Sequence, residues 1–271
     1  MTAVDPVTTD PHTAASRRLT PLVGKEARRL ARHPVTWLIP PIVVVTTALD
    51  GASSGRNAGY WYGTIFVAVA FFGPLFILFA ANLVASGARR SRAEEVLEVT
   101  PTTDTRRAWA TCLGVALPLA GIGAIAAGAM ALIDSVNTIP PQNLLSAGEL
   151  AQLPFILAGA GLLGVLAARW LRFAGGVLIM FIVATLGASV VFGRFDSGIW
   201  WMWWSTSNNF EEAPPVLVPG DAWLHAAYLF GLCACAAVAA VYRDRTQWNR
   251  LAVIGGPALA ATLAFGWLQL L

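Results

Sequence analysis

Ser189 and His225 are the residues whose types and positions could support nucleophilic catalysis. Gly187-Ala188-Ser189 falls near the end of one apolar block and His225 near the start of the next. A histidine at the same depth could activate the serine for attack on a carbonyl carbon. No third group that would orient the histidine can be identified, nor can an oxyanion site, and a three-residue match in a Gly/Ala-rich helix is cheap. The three histidines, His12, His33 and His225, are too scattered to hold a metal. Cys112, Cys233 and Cys235 all lie inside apolar blocks. On a helix Cys233 and Cys235 point about 200° apart, so they cannot chelate an ion together, and such thiols behave as small hydrophobes. No Gly-x4-Gly-Lys-Ser/Thr occurs and the single lysine is Lys25, so the chain is not expected to bind ATP through a P-loop. The expectation is a chain that is not an enzyme, with no catalytic, cofactor-binding or metal-binding residues.

A second set of residues has the chemistry of a docking element. Arg89-Arg90-Ser91-Arg92 is followed by Ala93, Glu94, Glu95, Val96, Leu97 and Glu98, and Pro101 closes the run. At helical spacing Ala93, Val96 and Leu97 form a small apolar knob flanked by acids. A short helix with an apolar tip and charged sides suits a groove on another protein. A stop-transfer loop with no partner is the alternative. Thr102-Thr103-Asp104 offers helix caps, and Arg106-Arg107 anchors the next apolar block.

The elements that must position these residues follow from composition. The chain has 271 residues, 56% hydrophobic and 12% charged, with mean hydropathy +0.63. A soluble domain of this size carries about 25% charged residues, so there is too little polar surface here to cover a water-facing globule. From position 35 onward the apolar residues fall into seven blocks, and about 20 apolar residues suffice to cross a bilayer core. The expected spans are 35–49, 60–88, 108–133, 150–168, 173–192, 223–242 and 251–271. The first is short and carries Pro40-Pro41, and Pro74 marks a kink in the second. The fold class is therefore all-α integral membrane, with six to seven transmembrane helices preceded by an amphipathic interfacial helix.

Residues 1–18 have no periodicity and read as a disordered cytoplasmic tail. Residues 19–33 read as the interfacial helix, with Thr20 as cap and Pro21 at its first position. Lys25, Arg28, Arg29 and Arg32 share one face at i, i+3, i+4 and i+7, while Val23, Ala27, Leu30 and Ala31 occupy the other. A helix of that kind lies in the membrane interface. Residues 34–271 form the transmembrane domain. The long polar leader argues against a signal peptide, and the basic residues after Arg17-Arg18 argue against a twin-arginine signal.

Basic residues set the orientation. Six lie in the N-terminal arm, five in the loop 89–107, two after the fourth span and three after the sixth, leaving Arg56 and Arg194 on the other side. The positive-inside rule makes the side of the sixteen cytoplasmic. The N-terminus is then cytoplasmic, and with seven spans the C-terminus faces outside. The outer segment 193–222 holds Trp200, Trp201, Trp203 and Trp204, an aromatic density that marks the headgroup level of the outer leaflet. No Asp, Glu, Lys or Arg sits at mid-membrane depth, where ion-coupled carriers usually keep relays. Asn82, Thr185, Ser189 and His225 are the notable polar side chains there. The pI near 9.0 does not point to nucleic acid, because the basic residues flank apolar blocks, where anionic lipid headgroups sit.

In order and placement these features resemble the ABC-2-type transporter permeases, the membrane subunits of bacterial ABC exporters. The matching residues are Lys25-Glu26-Ala27-Arg28-Arg29-Leu30-Ala31-Arg32-His33-Pro34, the loop carrying Arg92, Glu94, Glu95, Leu97 and Pro101, and the outer segment before the sixth span. The resemblance covers about residues 20 to 245. It departs from the family in its seventh block, since the family usually has six spans and a cytoplasmic C-terminus. It implies that residues 93–98 transmit the motion of a separate ABC ATPase subunit. It also implies that ATP and Mg are bound there rather than on this chain, and that a second permease copy or a related permease completes the path. The implied location is the inner (plasma) membrane, with the lipid bilayer as a further partner. The apolar lining favours a hydrophobic or amphipathic cargo. A secondary carrier or channel is the alternative function, and an intramembrane serine hydrolase using Ser189 and His225 is the third.

Overall fold

The computed structural model describes residues 11–38, 45, 69–70, 73–87, 103–136, 145–171, 176, 179, 221–243 and 245–268. Every regular element among them is helical. In order they are α1 (Pro11–Ala31), a 3-10 turn (Pro34–Leu38), α2 (Gly73–Ala85), α3 (Asp104–Val136), α4 (Ala147–Leu150), α5 (Leu153–Trp170), α6 (Ala222–Val241), a second 3-10 turn (Arg245–Gln247) and α7 (Trp248–Leu268). Among the described residues four helical stretches are long and apolar enough to cross a membrane: Asp104–Val136, Ala147–Trp170, Ala222–Val241 and Trp248–Leu268. They correspond to the third, fourth, sixth and seventh apolar blocks. The second block is represented by the 13 residues of α2, with Pro74 near its start. Most of the first and fifth blocks lie outside the described residues.

The α4–α5 stretch is the hub, with 72% of its apolar window buried. It packs against α2, α3 and α6, while α7 packs back on α6 as a helical hairpin. The core falls into two clusters. Around one end Ile77, Ala81, Cys112, Val115, Val165 and Val241 pack together. Around the other, Met130, Leu150, Leu153, Ile156, Tyr228 and Leu229 do. Small residues bring the backbones close, as membrane helices require in place of a hydrophobic driving force. A Cβ on Gly123 would lie 2.6 Å from Pro154 Cα and 2.7 Å from the Leu153 carbonyl, so α3 and α5 touch there backbone to backbone.

Large apolar side chains point outward from the bundle, among them Ile125 at 74% exposure and Val253 at 73%. Burying one such side chain is worth about 1.5–3 kcal/mol. A row of them along α3 and another along α7 suits hydrocarbon rather than water around the bundle.

The structure differs from the sequence reading at α1. The helix begins at Pro11, inside the stretch 1–18 read as a disordered tail, and Pro21 sits ten residues into it rather than at its first position. A proline is tolerated at a helix start because its missing N–H would be unpaired there anyway. Between Pro11 and Pro21 no other proline and no glycine interrupts the chain. At its far end Thr36 Oγ1 donates to the Leu30 carbonyl at 2.9 Å and Trp37 Nε1 to the Ala31 carbonyl at 2.7 Å. These bonds satisfy two of the acceptors that a helix end leaves open.

Candidate functional site

The ends of α3, α5 and α6 meet at one face of the bundle. Asp104 opens α3, and Thr103 Oγ1 accepts from the Arg106 backbone N–H at 3.3 Å. An acid in the first turn is favoured by the helix dipole, as is a base in the last, and Arg169 is the base in the last turn of α5. Arg169 Nη2 donates to Asp104 Oδ2 at 2.6 Å, and its Nε donates to the Ala240 carbonyl near the end of α6, also at 2.6 Å. One guanidinium therefore ties three helices. Arg243 just beyond α6 donates back to the Arg169 carbonyl, and Trp170 Nε1 donates to the Ala239 carbonyl at 3.0 Å. Gln247 Nε2 reaches Thr105 Oγ1 at 3.2 Å, bringing the turn before α7 to the start of α3.

At about 1.5 Å per residue the 33 residues of α3 span about 50 Å, well over the roughly 30 Å of a bilayer core. With 108–133 as its apolar span, its first turn lies outside the hydrocarbon region. There, desolvation works to raise the pKa of the Asp104 carboxyl. The Arg169 hydrogen bond, together with the charges of Arg169, Arg107 and Arg243, outweighs it and holds the carboxyl below its usual 3.8.

Of the residues singled out in the sequence, the structure places Lys25, Arg28 and Arg29 exposed on α1 and Arg32 exposed just beyond its end. Arg29 pairs with Glu26 at 3.1 Å. Val23, Glu26 and Ala27 meet α3 at Gly114, where a Cβ would lie 2.8 Å from both the Val23 carbonyl oxygen and Glu26 Cβ. Leu30 enters the core, whereas Ala31 is exposed. Protein therefore covers part of the apolar stripe of α1. Residues Ala93, Glu94, Glu95, Val96, Leu97 and Glu98 lie outside the described residues, as do Ser189, Trp200, Trp201, Trp203 and Trp204.

His225 is fully buried near the start of α6, with its ring 5.8 Å from that of Tyr228. Close in sequence to it, the Ala222 carbonyl accepts from Gln152 Nε2 at 3.4 Å. Ser146 and Glu149 form a reciprocal capping box on α4. Among the described residues no group of three His, Cys, Asp or Glu could hold a metal ion. Cys112, Cys233 and Cys235 are free thiols. Cys233 Sγ donates to the Phe155 carbonyl at 3.3 Å, and Cys235 lies 3.6 Å from Thr262 Oγ1.

The sequence reading missed the roles of Asp104, Arg169 and Glu149. Ser146-Ala147-Gly148-Glu149 carries a legible capping-box spacing. Asp104 and Arg169 are 65 positions apart, and nothing local in the sequence links them. No family model matches the chain, and neither does any curated protein or solved structure.

Proposed function

We propose that this chain is the permease subunit of an ABC exporter, embedded in the inner (plasma) membrane through six to seven spans with its N-terminus cytoplasmic. A separate ATPase subunit drives it, and a second permease copy or a related permease completes the path. The cargo is hydrophobic or amphipathic. The observation that carries the reading is where segment 89–107 joins the helices. It connects α2 to α3, and both of these pack on the central α5. A push on that segment is therefore delivered to the middle of the bundle. The Arg-rich ends also agree with one another: Asp104, Arg169 and Arg243 gather at one face, which supports a common cytoplasmic side for the loops that carry them.

Leu97→Asp tests the reading. It puts a charge on the apolar knob of the coupling segment without touching a described helix. ATP-dependent transport should fall at least tenfold while the chain stays inserted and abundant. Undiminished transport by that variant removes the docking role from residues 93–98.

A further inference from the structure

We propose that the first part of α3, residues 104–117, is an arm that swings about Pro118, and that the Asp104–Arg169 pair is the clasp that holds it closed against α5 and α6. The inference rests on the bilayer part of the reading above and not on the ATPase. Beyond Pro118, α3 is fixed. Gly123 lies backbone to backbone against Leu153 and Pro154, and Met130 is buried in the cluster around Leu150 and Leu153. Pro118 itself has no N–H to give the Gly114 carbonyl four residues back, so the helix ladder is weakest at that point. On the near side the arm packs through Ala108, Cys112 and Val115. These contacts on α5 run through side chains, without the backbone-to-backbone approach that Gly123 makes beyond the proline. The polar bonds at the tip then decide whether the arm is closed.

Two features suit that tip to opening. Asp104 is 63% exposed, so water and ions reach the pair and keep it breakable. Gln247 donates to Thr105, but its Oε1 is buried and accepts no hydrogen bond within the described residues. A half-satisfied buried amide gains a partner when water enters. The geometry also sets the size of the motion. Asp104 lies fourteen positions before Pro118, an arm of about 21 Å. A kink change of about 20° therefore moves the tip by about 7 Å. Because α1 meets the arm at Gly114, a displacement of α1 acts on the same hinge.

Paired spin labels test the proposal on the full chain with its three cysteines replaced by alanine. One pair, at Arg106 and Thr246, reports the tip. The other, at Gly128 and Trp223, reports the fixed end. Asp104→Asn should give the tip pair a second population about 7 Å longer, the displacement expected from the arm, and leave the fixed pair unchanged. Pro118→Ala in that background should shrink the longer population. A tip distance indifferent to Asp104→Asn overturns the clasp. Equal broadening of both pairs overturns the hinge. The distances are readable in detergent as well as in nanodiscs. Failure of the chain to resist carbonate extraction from membranes therefore counts against the bilayer reading separately.

Discussion

Arg169 grips Asp104 with one nitrogen and the Ala240 carbonyl with another, each at 2.6 Å. A planar fork serves two partners on two helices from separate, rigidly held nitrogens, a geometry that the single nitrogen of a lysine ammonium does not reproduce. Arg169→Lys is therefore expected to behave like a loss. It should lower stability in detergent by about 1 kcal/mol, the typical net value of one hydrogen bond. Asp104→Asn should cost less, about 0.2–1 kcal/mol, because the pair is partly exposed. The carboxyl sits below its usual 3.8 because of Arg169, Arg107 and Arg243. Its contribution is thus complete above that value and is lost as pH falls through the lowered one. The melting difference between the unmodified chain and Asp104→Asn should stay constant from about pH 8 to pH 5 and shrink only below about pH 4. A difference that fades between pH 8 and 5 would show that another group carries it.

The two glycines Gly121 and Gly123 make a matched pair on α3. A Cβ at Gly121 meets nothing within 4 Å, while one at Gly123 strikes the backbone of α5. Gly123→Ala must push the helices apart and should cost about 1–3 kcal/mol, as overpacking does. Gly121→Ala should be neutral or stabilising. Thermal unfolding of both variants in the same detergent checks the contrast, and equal losses would contradict the backbone contact.

How much of this was legible beforehand varies by element. The apolar blocks behind α3, α5, α6 and α7 could be read because length and hydropathy are local properties of the chain. The ends of α1 could not be read as easily. Pro21 looked like a helix start, yet it is accommodated inside a helix that already begins at Pro11. The clasp was invisible for a different reason. Asp104 read as a cap and Arg169 as one of many basic residues at a span end, and only the packing of α3 on α5 brings them to 2.6 Å. That Lys25, Arg28, Arg29 and Arg32 are exposed agrees with their spacing on one helical face. That α3 rather than lipid covers part of the opposite face of α1 depends on Gly114, whose role appears only when two helices cross.

The proposed topology rests on the split of basic residues and on the gathering of Arg169 and Arg243 at one face. Reporter fusions after Arg107 and Arg172 should read cytoplasmic, and those after Asp221 and Leu271 should read outside. A cytoplasmic reading at Leu271 would restore six spans and remove either the first or the seventh block from the count.

The hydrolase alternative is separated from transport at Ser189, with His225 as the residue it would act through. His225 is buried against Tyr228, so His225→Ala should cost about 0.5–3 kcal/mol through the cavity it leaves. Ser189→Ala should leave transport intact. Loss of function in Ser189→Ala at normal membrane abundance would favour catalysis over transport.

If a separate ATPase works through this chain, the two should stay together when the unmodified chain is purified from its native membrane in mild detergent. The expected result is a stoichiometric partner carrying a P-loop, with vanadate-sensitive ATP hydrolysis that disappears when Leu97→Asp is purified instead. An intact, folded chain that brings no such ATPase, and whose preparation hydrolyses no ATP above background, would contradict it.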